Sequence, residues 1–183
     1  SGASVTPSGN LTLTGFCSAN SYTVTLNNNG GSGGSSSTSV TYGATTLGTI
    51  TNPTKANTTG TRTISGLAAN GTNASGATVT FQSSGNCTST SNCKSSNTTT
   101  YTFNGWHQGS ATGTVVTNGG SPANLQPSTN YTNASSQWTY TTASAVTLYA
   151  GWNSSAGSYA SVILPTITKT GYTCGWDTNA SAT

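Results

Sequence analysis

Short runs in which β-branched, leucine or aromatic side chains alternate with polar ones recur along the chain, and clusters of Gly, Asn and Ser separate them. This period of two is typical of half-buried β-strands, and no stretch carries a convincing helical period. The sequence therefore predicts a mainly β fold with little helix, in which residues 44–47 are the one candidate for a short helical turn. The predicted strands cover residues 11–14, 22–26, 39–42, 62–64, 77–81, 98–103, 113–116, 138–140, 145–149, 159–164 and 171–173.

Charged side chains are almost absent. They make up 3% of the 183 residues, against about a quarter in typical globular proteins. Apolar residues make up only 31%, so we expect a thin-cored protein kept soluble by hydroxyl and amide groups. The cations are scattered, whereas binding to nucleic acid or to an anionic membrane requires clustered positive charge. Neither partner is expected. The cations are Lys55, Arg62, Lys94 and Lys169.

The side chains that catalysis requires are also missing. Asp177 is the only acid and His107 the only histidine, so no pair of carboxylates is available for acid–base chemistry or glycoside hydrolysis. A Ser-His-Asp triad is formally available, but His107 follows a strand phrase and is expected at the surface. We therefore predict that the chain is not an enzyme and that it binds no metal or other cofactor.

The four cysteines indicate an oxidising, extracellular setting, because their number is even in a chain so poor in charge. Cys87 and Cys93 enclose a turn-like stretch, so we expect a local disulfide at the tip of a hairpin between strands 77–81 and 98–103. Two free thiols are the alternative. No segment has the roughly 18 consecutive apolar residues of a membrane span. No signal peptide is visible, so either it has been removed or the chain is a piece of a longer protein.

Solubility without charge also favours glycosylation. Asn-X-Ser/Thr sequons are frequent, although a chain so rich in Asn, Ser and Thr also forms them by chance. The candidate sites for N-glycans are Asn70, Asn73, Asn97, Asn130 and Asn133.

The chain repeats three of its own phrases. The pairs are Tyr101–Trp106 (YTFNGW) with Tyr172–Trp176 (YTCGW), Asn52–Lys55 (NPTK) with Pro165–Lys169 (PTITK), and Val146–Trp152 (VTLYAGW) with Leu11–Cys17 (LTLTGFC). Self-similarity of this kind is the signature of a repeat protein.

In their order, these phrases resemble the Listeria–Bacteroides repeat, the B-repeat of internalin-type bacterial surface proteins. The resemblance covers residues 22–55 and 101–152 as one unit and begins again at 159–183. It implies a small β-grasp-like module, used in tandem in surface stalks and adhesins and not catalytic. We therefore divide the chain into the final strand of a split repeat (1–21), a complete repeat (22–157) and the first part of a second repeat (158–183). The complete repeat carries insertions at 56–100 and 118–140.

The two ends of the chain read as one repeat cut in two. In the alignment of the phrases, Cys174 takes the place of Phe103 and Cys17 the place of Trp152. If Phe103 and Trp152 touch, the two cysteines are placed to form a disulfide, provided that their Cα atoms come within roughly 4.4–6.8 Å.

Three arrangements would reunite the halves. The strand of one subunit can complete the sheet of the next, which builds a head-to-tail filament with an inter-subunit Cys17–Cys174 bond. The chain can instead be a segment of a longer tandem array, or both ends can fold together within one molecule. The sequence leaves all three open, and the first is the predicted function: an extracellular structural subunit of a bacterial surface filament or stalk.

The alternative function is an adhesin or glycan-binding module. Tyr131, Trp138 and Tyr140 lie in the long loop outside the repeat phrases, and an exposed aromatic ring there would stack on a sugar of a host glycan. The competing interpretation is that these rings pack on the sheet or at a subunit interface.

Overall fold

The computed structural model describes residues 2, 4–68, 71–72, 75–83, 85–142 and 144–178. The described residues form strands and no helix, which confirms the mainly β prediction. No helix long and apolar enough to cross a membrane occurs in the part of the chain that the structure describes. The strands are β1 (Ser21–Asn27), β2 (Ser37–Thr41), β3 (Thr46–Leu47), β4 (Thr58–Thr63), β5 (Gly71–Thr72), β6 (Thr78–Thr80), β7 (Lys94–Gln108), β8 (Val115–Gly120), β9 (Ala123–Leu125), β10 (Val146–Ala156) and β11 (Thr166–Thr168).

The chain divides into two compact units. Unit 1 consists of Ser1–Pro53 and Asn104–Gly151, and unit 2 consists of Thr54–Phe103 and Trp152–Thr183. Strands β7 and β10 each contribute residues to both units.

Unit 1 is built on a nearly closed sheet with the strand order β2-β1-β10-β7-β8-β9-β3. Strand β10 lies between β1 and β7, and it runs parallel to β1, with Val24 opposite Val146 and Leu26 opposite Leu148. The first and last strands of this order, β2 and β3, are also linked. The amide of Gly48, just after β3, donates to the carbonyl of Ser39 in β2 at 3.0 Å. The sheet thus leaves little unpaired edge in unit 1.

The core of unit 1 comes from the inward positions of these alternating strands. Two buried polar groups are satisfied by uncharged partners: the Trp106 indole N–H donates to Asn52 Oδ1 at 3.2 Å, and Thr132 Oγ1 donates to the Gln126 carbonyl at 2.7 Å. Buried polar groups need hydrogen-bond partners, and in a chain with so few charged residues these partners are neutral amides and carbonyls. The buried apolar residues are Val24, Leu26, Val40, Leu47, Ile50, Trp106, Val116, Ala123, Leu125, Trp138, Val146, Leu148 and Ala150.

Unit 2 has a smaller core and two sets of paired strands. Strand β4 pairs antiparallel with the first half of β7, from Thr58 opposite Thr99 to Thr63 opposite Lys94. Strands β11, β6 and β5 form a separate three-stranded sheet. The buried residues of unit 2 include Ala77, Val79, Cys87, Cys93 and Pro165.

The predicted disulfide between Cys87 and Cys93 is present, but the hairpin predicted around it is not. Strand β6 pairs with β5 and β11, whereas β7 pairs with β4. The Cys93 carbonyl accepts a hydrogen bond from Ile64, just after β4, at 2.9 Å. The disulfide therefore closes the turn that leads into β7, and β4 is the partner of that strand.

Several predicted strands differ from the structure. Residues 11–14 and 159–164 form no strand, and residues 138–140 and 171–173 contribute only the isolated bridges Thr132–Trp138 and Lys169–Tyr172. A period-2 sequence becomes a strand only where a neighbour supplies a continuous ladder of hydrogen bonds. In residues 159–164, the Ala160 amide donates to the Ser96 carbonyl at 2.9 Å, but no ladder follows. Residues 46–47, expected in a helical turn, form β3 because they pair with β9, with Thr46 opposite Asn124.

We predict that Leu148→Ala destabilises unit 1 by about 2–5 kcal/mol, because it opens a cavity at a fully buried position of the central strand β10. Tyr42→Ala is the control, since Tyr42 is 47% exposed, and it should change the free energy of unfolding by less than about 1 kcal/mol. Urea unfolding followed by tryptophan fluorescence measures both. Equal effects of the two substitutions would contradict the assignment of the core.

Candidate assembly site

The segment that precedes β1 exposes apolar side chains. Residues 4–20 contain no strand, and Leu11, Leu13 and Phe16 are 53%, 72% and 92% exposed. All three belong to the phrase Leu11–Cys17, which repeats the sequence of β10. The segment therefore has the composition of a core strand while its apolar side chains face solvent.

The counterpart of this phrase in unit 1 is fully integrated into the sheet. Val146 and Leu148, which align with Leu11 and Leu13, are 5% and 0% exposed and pair in parallel with β1. The same sequence pattern is thus buried in one copy and exposed in the other.

The aromatic pair that aligns with the two terminal cysteines is in contact. The rings of Phe103 and Trp152 meet edge to face in unit 2, with centroids 5.9 Å apart and planes at 75°. This meets the first of the two conditions on a Cys17–Cys174 bond, the contact of the aligned aromatic residues. Cys17 is exposed, Cys174 is half-buried, and both are free thiols, so a bond between them within one chain is not formed here.

Contacts between a lysine and a tyrosine are also repeated. Lys55 Nζ lies 4.7 Å from the ring centroid of Tyr101, and Lys169 Nζ lies 4.4 Å from that of Tyr172. Both pairs occupy matching positions of the repeated phrases, and both are cation–π contacts. Sequence reasoning missed them, although the signal was available in the recurrence of Lys and Tyr in both copies.

The tryptophans of the repeated phrases both donate a hydrogen bond, but to different kinds of acceptor. The Trp106 indole donates to the side chain of Asn52, next to the buried Pro53, and the Trp176 indole donates to the carbonyl of the buried Pro165 at 2.6 Å. The Lys–Tyr contact is therefore the one that both phrases share in detail. Trp106 is completely buried, whereas Trp176 is only half-buried.

The candidate ligand site in the long loop is a packing cluster. Trp138 is completely buried, its indole donates to the Tyr140 carbonyl at 2.9 Å, and its ring stacks on Tyr131 with centroids 5.4 Å apart. Tyr140 meets Tyr131 edge to face at 5.2 Å. Because Trp138 is completely buried, it offers no ring face to a sugar. Tyr131 and Tyr140 are half-buried, and Tyr140 lines a surface groove of about 590 Å³ together with Tyr22.

His107 is buried, which corrects the expectation that it lies at the surface. Its Nδ1 lies 2.6 Å from the Gly113 carbonyl oxygen and its Nε2 lies 3.0 Å from Asn104 Oδ1. Both ring nitrogens are therefore held by structural partners. The described residues contain no group of three or more His, Cys, Asp or Glu side chains that could hold a metal ion.

The sequons differ in how accessible their amides are. Asn97 donates its amide to the Gly157 carbonyl at 3.0 Å, and Asn133 Oδ1 accepts from the backbone of Ser135 and Gln137. Both are half-buried, whereas Asn130 is exposed. Asn130 is thus the best placed for a glycan among the candidates that the structure describes, and the sites at Asn70 and Asn73 lie outside the described residues.

Burial in the aromatic cluster raises the pKa of Tyr131 above its ordinary value of 10.0, and the ionised hydroxyls of Tyr140 and Tyr149 raise it further. The folded state therefore favours the protonated phenol. The resulting stabilisation is complete below about pH 10 and is lost as the pH rises through the folded-state pKa.

We predict that Tyr131→Phe reduces the loss of unfolding free energy between about pH 9 and pH 11, because phenylalanine has no hydroxyl to ionise. Urea unfolding at each pH measures this free energy. The exposed Tyr42→Phe is the control, and an unchanged pH dependence in Tyr131→Phe would contradict the prediction.

Comparison with protein-family models, with curated proteins and with solved structures finds no match to this chain.

Proposed function

We propose that the chain is an extracellular structural subunit of a bacterial surface filament or stalk. The strand Leu11–Cys17 of one copy completes the repeat that begins at residue 159 of the next. The observation that carries the proposal is the edge-to-face contact of Phe103 with Trp152, because Cys174 and Cys17 align with these two positions.

Strand donation explains why an apolar phrase is exposed. A donated strand gains main-chain hydrogen bonds from the edge it joins and buries alternate side chains in the recipient. The contact uses different surfaces on the two copies, so repetition of it builds an open, head-to-tail polymer. Exposed Leu11, Leu13 and Phe16 supply the side chains that such a contact would bury.

A Cys17–Cys174 bond would make each contact covalent. Within a chain, a disulfide typically adds about 2–4 kcal/mol of stability; between chains it makes the polymer independent of dilution. The Cys87–Cys93 disulfide supports an oxidising setting in which the second bond also forms.

The repeated contacts support the proposal that both parts derive from one module. Under it, residues 22–157 are a complete β-grasp-like repeat of the Listeria–Bacteroides type with insertions at 56–100 and 118–140. Residues 158–183 and 1–21 are the two parts of another. The matching Lys–Tyr contacts are the support. The adhesin alternative rests on the half-buried Tyr131 and Tyr140, since Trp138 is completely buried.

We predict that the native protein gives a ladder of bands on a non-reducing gel and collapses to the 18.2 kDa chain on reduction. Cys17→Ser and Cys174→Ser should each abolish the ladder, because each removes one sulfur of the same bond. Electron microscopy of the native material should show filaments.

Isolated globules by microscopy, or a ladder that survives in Cys17→Ser, would contradict the proposal. A reduced mass above 18.2 kDa would instead place the join between successive repeats of one longer chain.

A further inference from the structure

Unit 2 contains an apolar groove of about 350 Å³. Its apolar lining comes from Ile64, Leu67, Leu164 and Trp176, each of them half-buried. A groove of this kind exposes apolar surface to solvent in a chain that otherwise has little apolar surface to bury.

We propose that this groove is the acceptor for the strand Leu11–Cys17 of a second copy of the chain. Leu11 and Leu13 enter it in the places that Val146 and Leu148 hold in unit 1. The inference rests on the proposed head-to-tail function and assigns the contact residues on both sides.

The first argument is the difference between the two repeated tryptophans. Trp106 is completely buried in the unit that also buries Val146 and Leu148. Trp176, its counterpart, lines the open groove and is half-buried. Leu11 and Leu13, which align with Val146 and Leu148, would supply the apolar side chains that are missing beside Trp176.

The second argument is a matched change in size. Gly151, which aligns with Phe16, has no room for a side chain: a Cβ there would collide with Asn104 Oδ1 and His107 Nε2. The second copy of the phrase is one residue shorter, so it has no counterpart of Asn104, and Asp177 follows its tryptophan where His107 follows Trp106. The two side chains that crowd Gly151 are thus absent or replaced by the shorter Asp177 on the acceptor side, where the donor carries a phenylalanine that is 92% exposed.

The third argument is the matched change at the adjoining position. In the alignment of the phrases, Cys17 of the donor takes the position of Trp152, and Cys174 of the acceptor takes the position of Phe103. The rings of Trp152 and Phe103 are in contact. Residues 4–20 carry no charged side chain, so the donor brings no ion to the groove, whose own lining includes the exposed Asp177. Both pairs of changes belong to one alignment of the phrases and so give one register. In it, Cys17 reaches Cys174, which precedes Trp176 by two residues and lines a separate groove with Ile167 and Tyr172.

The test uses the full chain with Cys17→Ser as the common background, so that association is non-covalent while the Cys87–Cys93 bond stays intact. Leu13→Asn is the donor variant, Leu67→Asn the acceptor variant, and Val5→Asn the control, because Val5 is as exposed as Leu11 but lies outside the phrase. Analytical ultracentrifugation over a range of concentrations gives the association constant. Circular dichroism and mapping of the Cys87–Cys93 bond verify under the same conditions that each variant is folded.

We expect Leu13→Asn and Leu67→Asn each to weaken association by about 10-fold or more, since each loses the burial of one leucine at the contact. Val5→Asn should leave the association constant unchanged. An equal mixture of the donor and acceptor variants should form dimers and nothing larger, because one intact strand can enter one intact groove. Leu11→Asn, at a second exposed donor position, should repeat the effect of Leu13→Asn.

Wild-type association in folded Leu67→Asn, with weakened association in Leu13→Asn, would overturn the groove as acceptor while leaving head-to-tail assembly intact. A wild-type chain that does not associate at any concentration would overturn the proposed function, and this inference with it. A monomer in which Leu13→Asn lowers the stability of the chain would place the chain's own strand in the groove and also overturn the inference.

Discussion

The parallel pairing of β1 with β10 is the interaction on which unit 1 depends. Strand β10 lies between β1 and β7 and buries Val146 and Leu148 against the core. In a chain with 3% charged and 31% apolar residues, few other contacts are available to stabilise a core. Removing one central strand would leave Trp106 and its neighbours partly exposed, because no ion pairs or thick apolar layers would replace it.

The second occurrence of the phrases lacks such a central strand. Trp176 is half-buried beside an open groove, while Leu11, Leu13 and Phe16 are exposed in a segment without strand partners. The Lys–Tyr contact is nevertheless the same at both occurrences. We interpret the exposed strand and the open groove as two halves of one contact, which a neighbouring copy brings together.

The sequence predicted strands well where alternation was long and a partner was present, as in β1, β7 and β10. It missed β3, β5, β9 and β11, because two or three residues carry too little alternation to be recognised. The burial of Trp138 and His107 depended on tertiary partners such as Tyr131 and Gly113, which no local pattern reveals. The contact of Phe103 with Trp152 was accessible because the repeated phrases aligned two aromatic residues with two cysteines.

The central claim is that Cys17 of one chain bonds to Cys174 of another. Subunits labelled with nitrogen-15 and unlabelled subunits can be reduced, mixed in equal amounts and reoxidised, and the linked peptides analysed by mass spectrometry. The account predicts that about half of the Cys17–Cys174 linked peptides join a labelled to an unlabelled chain, since head-to-tail contacts form between chains at random. Linked peptides that are all labelled or all unlabelled would show that the bond forms within one chain, and would contradict the account.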